Sequence, residues 1–151
     1  MVHIHEKVDF TAEVFVVFEN KVLLRKHDKY GIWLSVGGHI ELEEDPNQAA
    51  LREVKEEVGI DVELWDEGMQ FTVQEDNFKN LIPPAAVCRM RVEPTHEHVT
   101  FVYFARAQTD AVVPEKADDE WRWVSKEEIA SMDLKDNVRE YALGALSALA
   151  S

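Results

Sequence analysis

The most constraining feature of this 151-residue sequence is one helix whose two ends are both marked by residue types that begin and end helices. Asp45 suits the N-cap, Pro46 follows at the first helical position, and Gln48 completes a capping box three residues after the cap. Gly59 provides the stop signal. The pattern predicts a helix over about Pro46–Val58.

Three glutamates share one face of this predicted helix. Glu53, Glu56 and Glu57 stand at positions i, i+3 and i+4, a spacing that brings side chains together on a helix surface. An apolar stripe lies about a third of a turn away, so the helix can pack on a sheet and still present carboxylates at its edge. Arg52 neutralises one of these charges at best. A hard divalent cation such as Mg²⁺ or Mn²⁺ would offset the rest, and the alternative is a solvated acidic surface.

Runs of β-branched and aromatic residues before and after the helix predict strands. Residues 12–18 and 21–26 would pair as a hairpin across Glu19-Asn20. Residues 31–36 would form a third strand that ends at the Gly37-Gly38 pair. The remaining predicted strands are residues 61–64, 69–74, 85–92, 98–107 and 121–124.

Two further helices are expected to close the chain. Ser125 and Glu128 form a second capping box, and residues 138–149 carry apolar side chains at the helical period. This order of elements predicts an α/β fold with helices on both sides of a sheet. With no repeat or linker, we expect one domain over residues 1–151. Loop 75–84 would set specificity, pack against a partner subunit in a homodimer, or be a plain surface connection.

The charge balance restricts the partners. The chain has 16 Lys and Arg against 30 Asp and Glu, a formal net charge of −14, so a broad basic face for a nucleic acid polymer is not expected. An anionic ligand would need a metal ion or a local basic pocket. The single cysteine, Cys88, excludes an internal disulfide and is expected to be a buried strand thiol. With no apolar run long enough for a membrane span, we expect a cytoplasmic protein without a membrane partner.

The pattern around the glutamates extends upstream. Five residues separate Gly38 from Glu44, seven more separate Glu44 from Arg52, and the helix ends R-E-V-K-E-E-V-G-I. Here the sequence resembles the Nudix hydrolase family, whose box specifies each of these positions, Gly59 included. The segments G-I-W-L-S-V-G-G-H-I-E and E-W-R-W-V-S-K-E-E-I resemble the family's lead-in and its closing strand and helix. One position differs, because Val36 stands where the lead-in often has proline.

The resemblance implies an α/β/α sandwich around a mixed sheet. It also implies metal-dependent hydrolysis of a nucleoside diphosphate linked to another group, with Mg²⁺ or Mn²⁺ as cofactor. Arg52 would orient the carboxylates, and Glu44 would tie the glycine loop to the helix. The implied metal ligands are Glu53, Glu56, Glu57 and a backbone carbonyl of the Gly37-Gly38 loop.

The general base and the substrate stay open. Family members use either a box glutamate or an acid from a later loop, so Glu56 is favoured and Glu97 and Glu120 are the alternatives. The markers of ADP-ribose, diadenosine, coenzyme A and NADH enzymes are missing, which leaves a nucleoside triphosphate or related small nucleotide by default. The alternatives are a non-catalytic nucleotide sensor, which would be expected to lose box glutamates, and an ADP-ribose or nucleotide-sugar pyrophosphatase. An isomerase of the isopentenyl diphosphate type needs a cysteine motif that Cys88 lacks.

Several basic side chains near the box are candidate substrate contacts. Arg25, Lys26 and Lys29 could contact phosphate, although a solvated strand end is slightly favoured for each. His39, beside the glycine pair, is a further candidate.

His96 and His98 alternate on one strand face and could ligate zinc. Without a third ligand nearby, a polar strand end is favoured, and His3 and His5 are weaker candidates still. Four aromatic residues could stack on a base, but a core position is favoured for each. They are Tyr30, Trp33, Trp65 and Phe71.

Overall fold

The computed structural model describes residues 7–27, 31–66, 68 and 71–150. The strands are β1 (Val8–Phe18), β2 (Lys21–Lys26), β3 (Trp33–Leu34), β4 (Val36–His39), β5 (Val62–Leu64), β6 (Gln74–Glu75), β7 (Phe78–Lys79), β8 (Ala86–Glu93), β9 (His96–Ala107) and β10 (Glu120–Ser125). The helices are α1 (Pro46–Val58), α2 (Lys126–Ser131) and α3 (Asp136–Ala148).

Eight of these strands form one mixed sheet in the described part of the chain. Its central order is β10-β2-β1-β9-β5, while β3 pairs with β2, β4 with β1, and β8 with β9. The long central pair, β1 and β9, is parallel, and the other pairs of the sheet are antiparallel. Strands β6 and β7 form a separate small hairpin.

Helices cover both faces of the sheet, as the order of elements predicts. Because side chains alternate along a strand, β1 sends Val14 and Val16 into a core shared with α1, and Phe15 and Val17 into a second core shared with α2 and α3. This confirms the α/β/α sandwich. Within the described residues, every helix is too short or too polar to cross a bilayer.

Local signals set the positions of α1 and the first hairpin. Asp45 accepts the backbone N–H of Gln48, whose side chain accepts the N–H of Asp45, and Gly59 ends the helix in the left-handed conformation. The bounds of α1 agree with the prediction. Glu19 and Asn20 both have positive φ, as a two-residue turn between twisted strands requires.

The single strand predicted over residues 31–36 is wrong: residues 31–32 and Ser35 form no strand, and the segment contains β3 and the start of β4. The chain continues through the glycine pair as β4, because Gly37 and Gly38 pair with Glu13 and Ala12 of β1. A Cβ atom on Gly37 would lie 2.5 Å from the carbonyl oxygen of Ala12, so the absence of a side chain allows the close approach. The pair is therefore a strand segment and not a loop.

The predicted strand over residues 69–74 is wrong at residues 71–73, whereas Gln74 does belong to a strand, β6. Residues 69–70 lie outside the described residues, and residues 71–73 form no strand. Phe71 is 64% exposed, so the alternation there has no sheet face to cover. Loop 75–84 contributes to the small β6–β7 hairpin, and Cys88 is half-buried in β8.

Candidate active site

Arg52 is the centre of a polar network at the C-terminal end of the glycine strand β4. Its guanidinium donates to both carboxylate oxygens of Glu44, from Nε at 3.0 Å and from Nη2 at 2.7 Å. Nη1 donates to Glu53 at 3.1 Å and to Glu56 at 3.0 Å, and Nη2 also donates to the carbonyl of His39 at 3.1 Å. One arginine thus connects the loop before α1, the helix face and the end of β4.

Glu53 and Glu57 form the buried part of the cluster. Their carboxyl groups hydrogen-bond to each other, and Glu57 also accepts the backbone N–H of Gly37. Gly38 lies directly against the Glu53 carboxylate, where a Cβ atom would overlap it. The side chain of Glu53 is 13% exposed and that of Glu56 is 49% exposed. Two of the three helix glutamates are therefore held inside, and the third faces solvent.

Burial and mutual repulsion make this pair hard to ionise. Burial, followed by repulsion from Glu53, raises the pKa of Glu57 to about 8. Burial is also the largest cause that raises the pKa of Glu53. In contrast, the hydrogen bonds from Arg52 lower the pKa of Glu44. The arginine therefore compensates the loop carboxylate better than it compensates the buried pair.

The donor set fits a hard divalent cation. Carboxylate oxygens and backbone carbonyls are the ligands that Mg²⁺ and Mn²⁺ prefer. Two buried carboxylates with raised pKa values are a site where an added positive charge would be stabilising. The cluster opens into a cavity of about 580 Å³ that is also lined by Glu41, Leu42 and Glu43.

Arg25 brings positive charge to the same helix face. The attraction of its positive charge partly opposes the rise in the pKa of Glu57. Its Nη2 atom donates to Asp119 at 2.8 Å. The backbone N–H of Glu115 donates to the carbonyl of Glu57 at 3.1 Å. The segment before β10 therefore packs beside the last turn of α1. Lys26 lies next to Arg25 on β2 and pairs with Glu120 at 3.9 Å.

The sequence-predicted site residues divide into two groups. The glutamates of the box and the backbone carbonyl of His39 converge around Arg52 and the glycine strand. Glu97 lies elsewhere: Arg89 holds it in a two-point ion pair at 2.8 and 2.9 Å. On β9, Phe101 pairs with Ala12, which in turn pairs with Gly38 on β4. Glu97 is four residues before Phe101, a distance of about 13 Å along the strand at the usual rise per residue. Glu120 is exposed at the start of β10.

A second cavity, of about 230 Å³, lies on the other side of β4. Gly37, Gly38 and His39 border both cavities, so one strand separates the glutamate cluster from this pocket. Its floor is formed by β1, β4 and β9, and the start of α3 closes it. Apolar and polar side chains line it, among them Leu34, Ser35, Met90, Asn137 and Val138.

The two histidines lie at the start of β9. His96 is the first residue of the strand, as the expected strand end requires, but its side chain is only 3% exposed, and His98 is half-buried. Asp9 and His39 supply the neighbours that the sequence analysis did not find. His3, His5, Lys29 and Tyr30 lie outside the described residues.

Other contacts were missed or misjudged from the sequence. The contact of Asp119 with Arg25 was not predicted, because Asp119 lies in an acidic run, D-D-E, that matches no motif. Trp33 and Trp65 pack against the second core as expected. Phe71 is exposed, so the core position expected for it is wrong.

Comparison with known proteins identifies the family. A model of the NUDIX domain matches residues 9–144 of the chain. The chain belongs to the NUDIX domain family. No match was found among curated proteins.

Solved structures agree with this assignment. A hydrolase of the NUDIX family from Clostridium perfringens is 34% identical to this Nudix protein, with a TM-score of 0.80 over 93% of this chain and 97% of that chain. A MutT NUDIX hydrolase from Burkholderia pseudomallei is 20% identical, with a TM-score of 0.66 over 95% and 99% of the two chains. An ADP-ribose pyrophosphatase from Streptococcus suis 89-1591 is 20% identical, with a TM-score of 0.60 over 95% and 92%. The last two show a common fold.

The protein is therefore a Nudix pyrophosphohydrolase, an enzyme that acts on derivatives of nucleoside diphosphates. Enzymes of this family act on small nucleotides and generally use a divalent metal ion.

Proposed function

We propose that this Nudix hydrolase cleaves a nucleoside triphosphate or a related small nucleotide, with Mg²⁺ or Mn²⁺ as cofactor. The observation that carries the proposal is the position of the glycine strand β4, which separates a carboxylate cluster from a mainly apolar pocket. A nucleotide has the same two parts, a polyanionic chain and a base. Its phosphates would lie at the glutamates and its nucleoside in the smaller cavity.

The box residues have distinct roles in this proposal. Glu53 and Glu57, both half-buried, would hold the ion together with Glu56 and the backbone carbonyl of Gly37. When bound, the ion would neutralise phosphate charge and make a nearby water more acidic. Arg52 touches three of the glutamates, so we assign it the role of holding their carboxylates in position.

Glu56 is the general base in this proposal. A base must be within reach of the attacking water, and Glu56 is the most exposed of the three helix glutamates that line the larger cavity. Glu97 would first have to leave its ion pair with Arg89, which makes it the weaker alternative. Glu120 is the second alternative, since it pairs with Lys26 only at 3.9 Å.

Phosphate and nucleoside contacts follow from the same arrangement. Arg25 stands close enough to Glu57 to affect its pKa, so it can contact a phosphate bound at the cluster, and Lys26 is a further candidate. His39 is the weaker candidate, because its side chain lies beside Asp9 on the other side of β4. Asn137 lines the smaller cavity, and its amide can pair with a base edge. Asn137→Ala should therefore raise KM by about 10-fold, the value of one hydrogen bond, and leave kcat nearly unchanged.

The substrate test is a nucleotide panel with product analysis. Purified protein with Mg²⁺ or Mn²⁺ should convert nucleoside triphosphates to monophosphate and pyrophosphate, and excess EDTA should abolish turnover. Water labelled with ¹⁸O would show which phosphorus is attacked. Turnover of ADP-ribose or nucleotide sugars alone would contradict the substrate assignment, and binding without turnover would support the sensor alternative.

The site test uses matched glutamate variants. Glu56→Gln should lower kcat by about 10²–10⁴-fold with normal folding, as loss of a general base does. Glu140→Gln, an exposed glutamate on α3, makes the same charge change away from the site and should leave turnover unchanged. Equal activity of the Glu56→Gln variant and wild type would remove Glu56 from the mechanism, and Glu97→Gln and Glu120→Gln would then identify the base.

A further inference from the structure

A second cluster of metal-binding side chains lies on the α3 side of the sheet. Asp9 of β1 is directly opposite His98 of the parallel strand β9, and His39 of β4 pairs with Thr11, two residues further along β1. Residues that are opposite or two apart on paired strands point to the same face. The three side chains therefore converge, with a ligand atom of each within 4.8 Å of the other two.

The carboxylate of this cluster is buried, and its two histidines are half-buried. Asp9 is fully buried, and the side chain of His39 is 10% exposed. A buried carboxylate needs strong compensation, which imidazole groups can supply as cations or by sharing a metal ion with it. Thr11 and Thr100 are the next pair on the same face of β1 and β9. Their hydroxyl groups form a buried hydrogen bond of 2.7 Å, which helps to hold the two strands in register.

The distances are those expected for ligands that share an ion. His39 Nε2 lies 3.2 Å from Asp9 Oδ2. Two ligand atoms of a tetrahedral zinc, each ~2.0–2.1 Å from the ion, are about 3.3 Å apart. The rings of His39 and His98 are 5.2 Å apart and nearly perpendicular, and one ligand atom from each of the three side chains lies within 4.8 Å of the others.

We propose that Asp9, His39 and His98 form a second metal site, for a transition-metal ion such as Zn²⁺, distinct from the glutamate cluster. Two imidazoles and one carboxylate are a ligand set that zinc accepts with one position left open. His39 and His98 also line the smaller cavity, so the open position faces it. His96 Nε2 lies 3.3 Å from Asp9 Oδ2, and we assign it the role of orienting that carboxylate.

The two sites meet at one residue without sharing a ligand. The backbone carbonyl of His39 accepts a hydrogen bond from Arg52, the centre of the glutamate network, while its side chain belongs to the Asp9 cluster. Ligand chemistry separates the ions: nitrogen donors suit Zn²⁺, and oxygen donors suit Mg²⁺. An ion at the second site would fix the end of β4.

The test measures metal binding directly. Chelator-stripped full-length protein should bind one equivalent of Zn²⁺ in a calorimetric titration, with a rise in Tm because the ion stabilises only the folded state. The Co²⁺-substituted protein should show visible absorption from nitrogen and oxygen ligands. His98→Gln should weaken Zn²⁺ binding at least ~10-fold and change the Co²⁺ spectrum, since even loss of a supporting residue costs that much.

Matched variants make the result decisive. His27→Gln removes a histidine outside the cluster, and a His3→Gln/His5→Gln double variant removes the two near the N-terminus; both should bind Zn²⁺ as wild type does. Glu57→Gln should lose the Mg²⁺ response and keep the Zn²⁺ response, so failure of either site is seen separately. If Asp9→Asn does not fold, the Co²⁺ spectrum of the folded His98→Gln variant decides. Equal Zn²⁺ binding by wild type and His98→Gln, or its loss in the N-terminal double variant, would overturn the proposal.

Discussion

The pH dependence of unfolding measures how much the ionisation of Glu57 destabilises the folded protein. Without metal, its pKa is about 8, against an ordinary value of 4.5. Between these two pH values the folded state holds a proton that the unfolded state has released. The free energy of unfolding therefore includes a contribution that is fully present below the unfolded pKa and is lost as the pH rises through the folded pKa.

The size of this effect follows from the pKa. From pH 6 to the folded pKa there are about 2 pH units, and at ~1.36 kcal/mol per unit the loss is roughly 2–3 kcal/mol. This is an upper value, because Glu53 and Glu57 hydrogen-bond to each other and share the proton. Glu57→Gln should remove the loss, since its amide can donate to Glu53 as the protonated acid does. The variant should already be more stable than wild type at pH 6, and the difference should grow by about 1–3 kcal/mol by pH 9.

Urea unfolding in EDTA at pH 6, 7, 8 and 9 is the assay. Glu140→Gln controls for the change in net charge and should follow the wild-type pH profile. Saturating Mg²⁺ should reverse the order of stability at pH 9, because wild type binds the ion more tightly. Parallel profiles of wild type and Glu57→Gln in EDTA would show that burial and repulsion do not act on Glu57 as the structure indicates.

Three other substitutions test the surrounding structure. Gly38→Ala should lower kcat at least ~10-fold with little change in Tm, because the new Cβ overlaps the Glu53 carboxylate and displaces it; unchanged steady-state kinetics would contradict this. Gly59→Ala should lower the free energy of unfolding by about 1–3 kcal/mol, since φ is +69° and the Cβ would lie 2.9 Å from Val113 Cβ; urea unfolding measures it, and wild-type stability would refute the strain argument. Arg52→Lys should reduce kcat/KM by about 10–100-fold, because an ammonium cannot replace the two-point contact with the loop carboxylate; a change confined to KM would show that Arg52 contacts substrate instead.

Helix α1 and the first hairpin were predictable because their determinants are local. The capping box of Asp45 and Gln48 and the glycine stop at Gly59 act within one or two turns of the helix. The same periodicity determines that Glu53, Glu56 and Glu57 share a face. A two-residue turn with Asn in it likewise determines the register of β1 and β2.

The tertiary structure decided everything that depends on strand register. The pairing of Gly37 and Gly38 with β1 depends on backbone contacts between segments about 25 residues apart. The same register places Glu97 far along β9 from the carboxylate cluster. This distance cannot be obtained from the sequence, because it depends on how the strands pair. Residues 71–73 alternate like a strand, but the fold provides no sheet for them to cover.

The histidine cluster shows the difference most clearly. Asp9, His39 and His98 belong to three strands that are separated in sequence by about 30 to 60 residues. Nothing in the spacing of these residues marks them as neighbours, because zinc motifs are recognised from sequence only when the ligands follow each other closely. The parallel pairing of β1 with β9 and the antiparallel pairing of β1 with β4 bring them to one face. Side-chain types were thus readable from the sequence, while their convergence was a property of the sheet alone.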